Sequence, residues 1–329
     1  MFDIVGVLIL VVLWLVFAFL ARGSWHARHA ILKWAGVVLA GLLTIVLTLV
    51  IVVVLFGFYK LTSAPVAQAS AIKVQGTPEQ LARGQKLANF CTGCHSTGNK
   101  FPLDGAAANF LEGGPPFGVV QPPNLTPAGP LKDWSDGEII RAIRDGVEKS
   151  GRPLIIMPAD TFHNMSDADV QSVVAFLRSQ PASAHATEPT KLNALGALLV
   201  GIGLFSPSNQ PPTTGVVTGP PPGATVEYGQ YAVSIAGCRS CHGADLGGGT
   251  PGGFGPPAGP NLTAVIAKMS DADFINTIRS GTDPNGHKLN PQNMPWKELS
   301  GAFDDNELKA IYMYLKTVPL VNRASPPTQ

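Results

Sequence analysis

The sequence predicts an all-α chain: a two-helix apolar hairpin at the N-terminus, then two tandem copies of one small helical domain. Three observations carry this prediction. Two long uncharged apolar runs lie within the first 60 residues, the rest of the chain repeats itself in register, and apolar residues recur there at helical spacing with no competing strand pattern. Of 329 residues, 45% are hydrophobic and only 14% charged, a balance that points to membrane segments. The 36 Gly and 29 Pro predict long loops between short helices. A formal net charge of +1 gives no reason to expect a nucleic-acid partner.

The hairpin occupies residues 1–60. Residues 4–21 and 35–59 are the apolar runs, of 18 and 25 residues. At ~1.5 Å per residue each reaches, or nearly reaches, across a ~30 Å hydrocarbon core. Between them stand Arg22, Arg28 and Lys33 with His26 and His29 and no acidic residue. By the positive-inside rule that loop is cytoplasmic, so everything after Lys60 is extracytoplasmic. Trp25 and Trp34 flank the loop, where interfacial aromatics belong. The competing reading is a cleaved signal: the small-residue stretch Ala67-Gln68-Ala69 follows the second run, whose apolar core is however far longer than a signal needs.

Residues 61–78 form a linker, and the repeat begins behind it, with domains expected at 79–181 and 226–320. Pro123-Asn124-Leu125-Thr126 matches Pro260-Asn261-Leu262-Thr263, residues 135–146 match 270–281, Met157-Pro158 matches Met294-Pro295, and 166–181 match 304–319. Ser-Asp pairs at the helix starts supply N-caps and put acid in the first turn, which suits the helix dipole. Val170, Val173, Val174 and Leu177, and likewise Leu308, Ile311, Tyr312 and Leu315, recur at helical spacing and read as core. Gly84 and Gly229 are placed to let the first and last helices of each domain cross closely, against Phe176 and Tyr314. Between the domains, 182–225 reads as a linker, and 321–329 as a tail. Within the linker, residues 192–205 are nearly all apolar but too few to span a membrane. They are expected to lie on the membrane interface, on the domains or on a partner subunit, because so apolar a patch rarely stays bare.

All four cysteines fall in two motifs, Cys91-Thr92-Gly93-Cys94-His95 and Cys238-Arg239-Ser240-Cys241-His242. C-x-x-C-H is the attachment signature for c-type haem. One helical turn carries both sulfurs along the porphyrin edge and tips the histidine beneath the iron. Cys91, Cys94, Cys238 and Cys241 are therefore expected to hold two haem c groups, with His95 and His242 as proximal ligands. A redox dithiol would not need His after the second Cys twice over, and a zinc site would need the two distant pairs to converge. A disulfide between the motifs remains conceivable in an oxidising compartment. The second axial ligand expected is Met157 in the first domain and Met294 in the second, each in a polar, Pro-rich Met-Pro loop. A thioether favours ferrous iron and leaves no open position, which suits electron transfer rather than catalysis. Met165, His163, Met269 and His287 are the rival ligands.

With these motifs in place, residues 80–181 and 226–319 resemble class I cytochrome c domains. The Pro-Asn-Leu-Thr phrases, residues 134–147 and the Cys-Arg-Ser-Cys-His-Gly run resemble cytochrome subunits of bacterial membrane-bound dehydrogenases. The hairpin ahead of two haem domains is similar to the dihaem subunit of cbb-type oxidases, and alternative complex III also carries membrane-associated cytochromes. The resemblance implies that the carbonyls of Pro123 and Pro260 accept the Nδ1–H of the proximal histidines. It implies membrane-bound electron transfer between redox donor and acceptor proteins as part of a respiratory or photosynthetic complex. The functional alternative is a dihaem enzyme of peroxidase or thiosulfate-oxidising type, with one iron open or differently ligated. Beyond residue 60, acidic residues slightly outnumber basic ones, so strong electrostatic steering of a partner is not expected.

Overall fold

A computed structural model of the chain describes residues 4–114, 116–249 and 258–323. The first three residues of the hairpin, part of the second repeat and most of the tail lie outside the described residues. Helices α1 (Val5–Trp25) and α2 (Ala30–Thr62) form the hairpin. The Trp14 indole donates to Thr48 Oγ1 at 2.8 Å across it. At the turn, Trp25 and Trp34 meet edge-on at 5.9 Å, with the Lys33 ammonium 4.3 Å over the Trp25 ring. No residue of α1 is buried, and in α2 only Ala40, Val54, Gly57 and Leu61 are. A core helix of a water-soluble domain would bury a continuous apolar stripe; these helices turn theirs outward.

The first repeat contains α3 (Pro78–Leu87), α4 (Asn89–His95), α5 (Asp136–Asp145), α6 (Ala159–Phe162) and α7 (Asp167–Ser179). Their starts follow from the sequence. Thr77 and Ser135 build capping boxes with Gln80 and Glu138, and the Ser166 side chain accepts from the Asp169 amide. Helix α3 crosses α7 at Gly84, where an added Cβ would lie 1.8 Å from the Ser172 carbonyl oxygen and 2.9 Å from Phe176 Cβ. The second repeat carries α9 (Val226–Ile235), α10 (Cys238–His242), α11 (Leu262–Ala267), α12 (Asp271–Ser280), α13 (Trp296–Ala302) and α14 (Asp305–Thr317). Helix α9 crosses α14 at Gly229 in the same way, 1.9 Å from the Ala310 carbonyl oxygen and 2.8 Å from Tyr314 Cβ. Both crossings stand where the sequence put them, with the main-chain carbonyl rather than the aromatic ring as the closest neighbour.

The two repeats pack on each other, and one buried apolar cluster runs through both. Helix α6 of the first repeat lies on α9 of the second, and α13 of the second lies on α3 and α4 of the first. At the centre the Arg83 guanidinium donates to Asp169 (2.8 and 3.0 Å), to Glu307 (2.5 Å) and to the Tyr228 hydroxyl (2.8 Å). The Tyr228 hydroxyl donates to Glu307 at 2.5 Å and that of Tyr231 to Asp169 at 2.7 Å. The residues preceding the two crossing glycines, Arg83 and Tyr228, thus meet each other, and Arg83 joins the acids of the two last helices, Asp169 and Glu307.

The connecting segment is more ordered than a linker reading suggests. Its residues Lys191–Leu192 (β2) pair antiparallel with Gly118–Val119 (β1), a strand pair too short to leave an alternation in the sequence. Helix α8 (Ala194–Gly201) follows, started by Asn193, whose side chain accepts from the Leu195 and Gly196 amides. It packs on α2 and joins a second apolar cluster with Val54, Leu61, Val120 and Leu192. The chain then returns over the first repeat: Ser208 donates to the Leu154 carbonyl (2.8 Å), Gln210 to that of Asp145 (2.9 Å), and Asp167 to that of Val217 (2.8 Å).

Candidate functional site

In the first repeat, α3 breaks at Ala88 and the chain restarts as α4, which carries Cys91, Cys94 and His95 on a single short helix. These three side chains line a largely apolar cavity of about 350 Å³. Its walls also hold Met157, Trp134, Leu125, Ile139 and Leu177, and Leu61 from the end of α2. His95 Nδ1 lies 2.9 Å from the Pro123 carbonyl oxygen. A carbonyl only accepts, so Nδ1 carries the proton and Nε2 presents its lone pair, the tautomer a metal-ligating imidazole needs. Burial holds the His95 pKa below its ordinary value despite that hydrogen bond.

The second repeat rebuilds the arrangement. Helix α10 carries Cys238, Cys241 and His242, and His242 Nδ1 lies 2.9 Å from the Pro260 carbonyl oxygen. Burial lowers the pKa of His242 as well. The two methionines occupy matching backbone. The Met157 carbonyl accepts from Ala159 and that of Met294 from Trp296, at 2.8 and 2.7 Å. Pro158 and Pro295 then open α6 and α13 with φ/ψ of −78/59° and −77/57°. Met294 is half-buried against the shared core. Ile156, directly before Met157, sits at φ 66°, a conformation that a β-branched side chain adopts only at a cost.

Of the rival ligands, neither Met165 nor His163 lines the first cavity. Met165 is 2% exposed within the core, and its carbonyl accepts from Arg144. His163 Nδ1 is 3.2 Å from the Arg144 carbonyl. The Met269 carbonyl accepts from Tyr312 at 2.8 Å, and exposed His287 is held through its amide by Asp283.

The surroundings of the cysteines speak against the competing readings of their motifs. No disulfide joins any of the four. Burial pushes Cys91 up to about 12, helped by neighbouring Cys94, and it pushes Cys238 up to about 12. Burial raises Cys94 too, with Glu298 adding to the shift, and it raises Cys241. Thiols so disfavoured as thiolates are poor redox nucleophiles. Among the described residues no three His, Cys, Asp or Glu side chains converge as a metal cluster. What the residues fit is a flat apolar group joined to two thiols and ligated from its centre. Cavity, paired thiols and oriented imidazole together make the cradle of a haem.

Sequence reasoning passed over two sets of residues that shape these sites. Asn124 and Asn261, inside the repeated Pro-Asn-Leu-Thr phrase, are buried and nearly identical in role. Asn124 accepts from the Thr126 amide and hydroxyl and donates to the carbonyls of Ser183 (2.8 Å) and His185 (2.9 Å). Asn261 accepts from the Thr263 hydroxyl and donates to the carbonyls of Val321 (2.8 Å) and Arg323 (3.0 Å). Each ties the strand of chain that leaves the last helix to the loop carrying the histidine's carbonyl partner. The repeat itself was the signal that could have singled them out. The second set spans the halves. Gly93, between Cys91 and Cys94, packs against Glu298, and Gly237, just before Cys238, packs against Thr161. One Glu298 carboxylate oxygen is buried there without a hydrogen-bond partner.

A sequence-family model described as cytochrome c matches residues 81–181 and again 226–319. The fructose dehydrogenase cytochrome subunit of Gluconobacter japonicus is 24% identical over 265 residues, which cover 73% of this chain and 52% of that protein. The diheme cytochrome c-type protein of Cereibacter sphaeroides is 26% identical over 268 residues, 75% of this chain and 88% of that one. A subunit of the nicotinate dehydrogenase of Pseudomonas putida is 26% identical over 268 residues, 72% of this chain and 21% of that protein. The chain thus spans about half the length of the first of these relatives and about a fifth of the last.

Proposed function

Because the chain belongs to the cytochrome c family through a domain in each half, and transfers electrons by haem c, we propose that it holds two such groups and works as the membrane-bound cytochrome subunit of a dehydrogenase complex. The observation that carries this reading is the repeated constellation of C-x-x-C-H helix, proline carbonyl and Met-Pro turn, built once in each half. Haem c, when bound, supplies one-electron exchange between ferric and ferrous iron. The chain's own residues do the rest. Cys91 and Cys94, and Cys238 and Cys241, attach the groups. His95 and His242 would ligate the iron, with their tautomer held by Pro123 and Pro260. Met157 and Met294 would supply the second ligand, which would raise the potential and close the position a substrate would need.

The dehydrogenase partner is inferred from the fructose dehydrogenase and nicotinate dehydrogenase relatives. Partner and membrane readings support one another. Both α1 and α2 are long and apolar enough to cross a bilayer, and their apolar surface faces outward. The basic loop between them sets the domains on the extracytoplasmic side, where haem c is attached. Leu61 of α2 in the cavity wall and α8 packed along α2 speak for retention of the second helix rather than its removal as a signal.

The test is a pyridine haemochrome assay of the purified full chain together with Met157→Ala and Met294→Ala. Two haems per polypeptide are expected. Each substitution should remove part of the weak red charge-transfer band of methionine-ligated ferric haem and lower one of two potentials. One haem per chain, or a substitution that leaves band and potentials unchanged, would sink the assignment for that site.

A further inference from the structure

Residues 192–205 carry no charge, and the structure gives them a specific seat. Helix α8 lies along the end of α2 nearest the domains, in contact through small residues. A Cβ on Gly57 would lie 1.8 Å from the Ala197 carbonyl oxygen, and one on Gly201 would lie 2.2 Å from that of Val53. At the start of α1, a Cβ on Gly6 would lie 2.7 Å from Ala194 Cβ. Backbones approach this closely where small residues meet, which is how helices associate inside membranes. The contacts also fix a direction. One turn along α8, from Ala197 to Gly201, moves one turn along α2, from Gly57 to Val53, away from the domains. Taking Tyr59 as the end of the apolar run, Val53 lies about 9 Å below it at 1.5 Å per residue. Beyond Gly201 the chain turns at Gly203 (φ 77°), and the Leu204 and Phe205 amides donate to the Leu199 carbonyl. It then climbs back to Ser208, which donates to Leu154 in the loop before Met157.

From this we infer that residues 192–205 are a third membrane element, a re-entrant helix that dips into the outer leaflet beside the hairpin and returns. The occupant of its outward face is the bilayer hydrocarbon. Leu195, Ile202 and Leu204 are 41%, 57% and 54% exposed, much as Leu49, Val52 and Leu55 on the α2 segment beside it are, at 61%, 57% and 51%. The ends of α8 are satisfied within the chain, at Asn193 and at the turn after Gly201, as a low-dielectric setting demands. Lys191, the nearest charge before the segment, is exposed next to β1 and stays above the dip. The inference rests on the reading that α1 and α2 span the bilayer. Its consequence for function is a fixed seat. Leu61 and Leu192 line the first cavity, so the first haem site is held against the membrane surface.

The test uses the full holoprotein in nanodiscs of phosphatidylcholine and phosphatidylglycerol. Ile202→Cys, Leu204→Cys and Leu49→Cys are each labelled with a nitroxide, the native chain serving as the labelling control. Accessibility to oxygen and to a water-soluble nickel chelate is then read by power saturation. Labels at 202 and 204 are expected to be reached by oxygen in preference to nickel, as at 49. A second protein carrying Gly57→Val with Ile202→Cys is expected to lose that preference, because the new side chain displaces α8. Lipid exposure at 49 with nickel access at 202 and 204 would overturn the inference and leave the hairpin intact. Labels at 202 and 204 shielded from both reagents would assign the face to a protein neighbour and overturn it equally. Nickel access at 49 would instead bring down the spanning reading itself.

Discussion

Substituting Arg83 by Met is the most direct way to ask what holds the two halves together. The guanidinium serves two buried acids, with the Asp169 and Glu307 side chains 10% and 2% exposed. The flexible apolar side chain of Met fills similar space and removes the cation. Both carboxylates then stay buried, Asp169 still accepting from Tyr231 and Glu307 from Tyr228 and the Asp304 amide, with the Lys86 ammonium 3.9 Å from Glu307. Stranding a buried partner costs about 3–5 kcal/mol, and the surviving tyrosine bonds place this case near 3 kcal/mol. Arg83→Met should therefore lower the urea midpoint of the holoprotein with little change in slope. Glu307→Gln in the Arg83→Met background should recover about 1–2 kcal/mol, since it removes one of the stranded charges. Added salt should barely change the loss, because buried pairs are poorly screened. If the double variant is as unstable as the two single losses added together, the ion pair across the halves contributes nothing, and the reasoning fails.

Three further outcomes follow from the geometry. Gly84→Val and Gly229→Val each drive a side chain into a facing carbonyl. Each should cost at least about 2–3 kcal/mol in thermal unfolding, since overpacking at a helix crossing has nowhere to relax; equal stability to the native chain would mean that the crossings give way. Asn124→Ala strips four hydrogen bonds from a buried position. It should cost about 3 kcal/mol and speed hydrogen exchange around residues 183–185, whereas unchanged exchange there would show that the segment is held by other contacts. Glu148 lines the first cavity. Burial alone would raise its pKa, but hydrogen bonds from Arg152 and Ser150 hold it below the ordinary 4.5. Its stabilising contribution is present above the unfolded value and lost as pH falls through the lower folded one. Acid should therefore perturb the first site's optical spectrum before the second's, and Glu148→Gln should remove that difference.

What the sequence made legible was whatever repeats or caps locally. The C-x-x-C-H motifs, the Met-Pro turns and the Ser-Asp helix starts each declare themselves within a few residues, and the duplication lets one half check the other. The glycine crossings were visible because Gly84 and Gly229 align. The contact between the halves was not, because symmetry breaks there: the counterpart of Arg83 is Tyr228, so alignment shows a mismatch where the fold has a joint. Helix α8 was legible as an apolar segment in need of cover, but its cover is α2, more than a hundred positions earlier. No spacing rule reaches that far. The β1–β2 pair, two residues in each strand, was too short to leave any pattern.

The crossed packing of the halves also ties the two attachment helices to one joint. Helix α4 lies under α13, with Glu298 over Gly93, and the approach to Cys238 is flanked by Thr161 from the other repeat. Helix α4 thus borders the opposite repeat, and the chain entering α10 touches it at Gly237. A change that parts the halves should therefore be felt at both attachment helices at once, and one confined to a single half at only one.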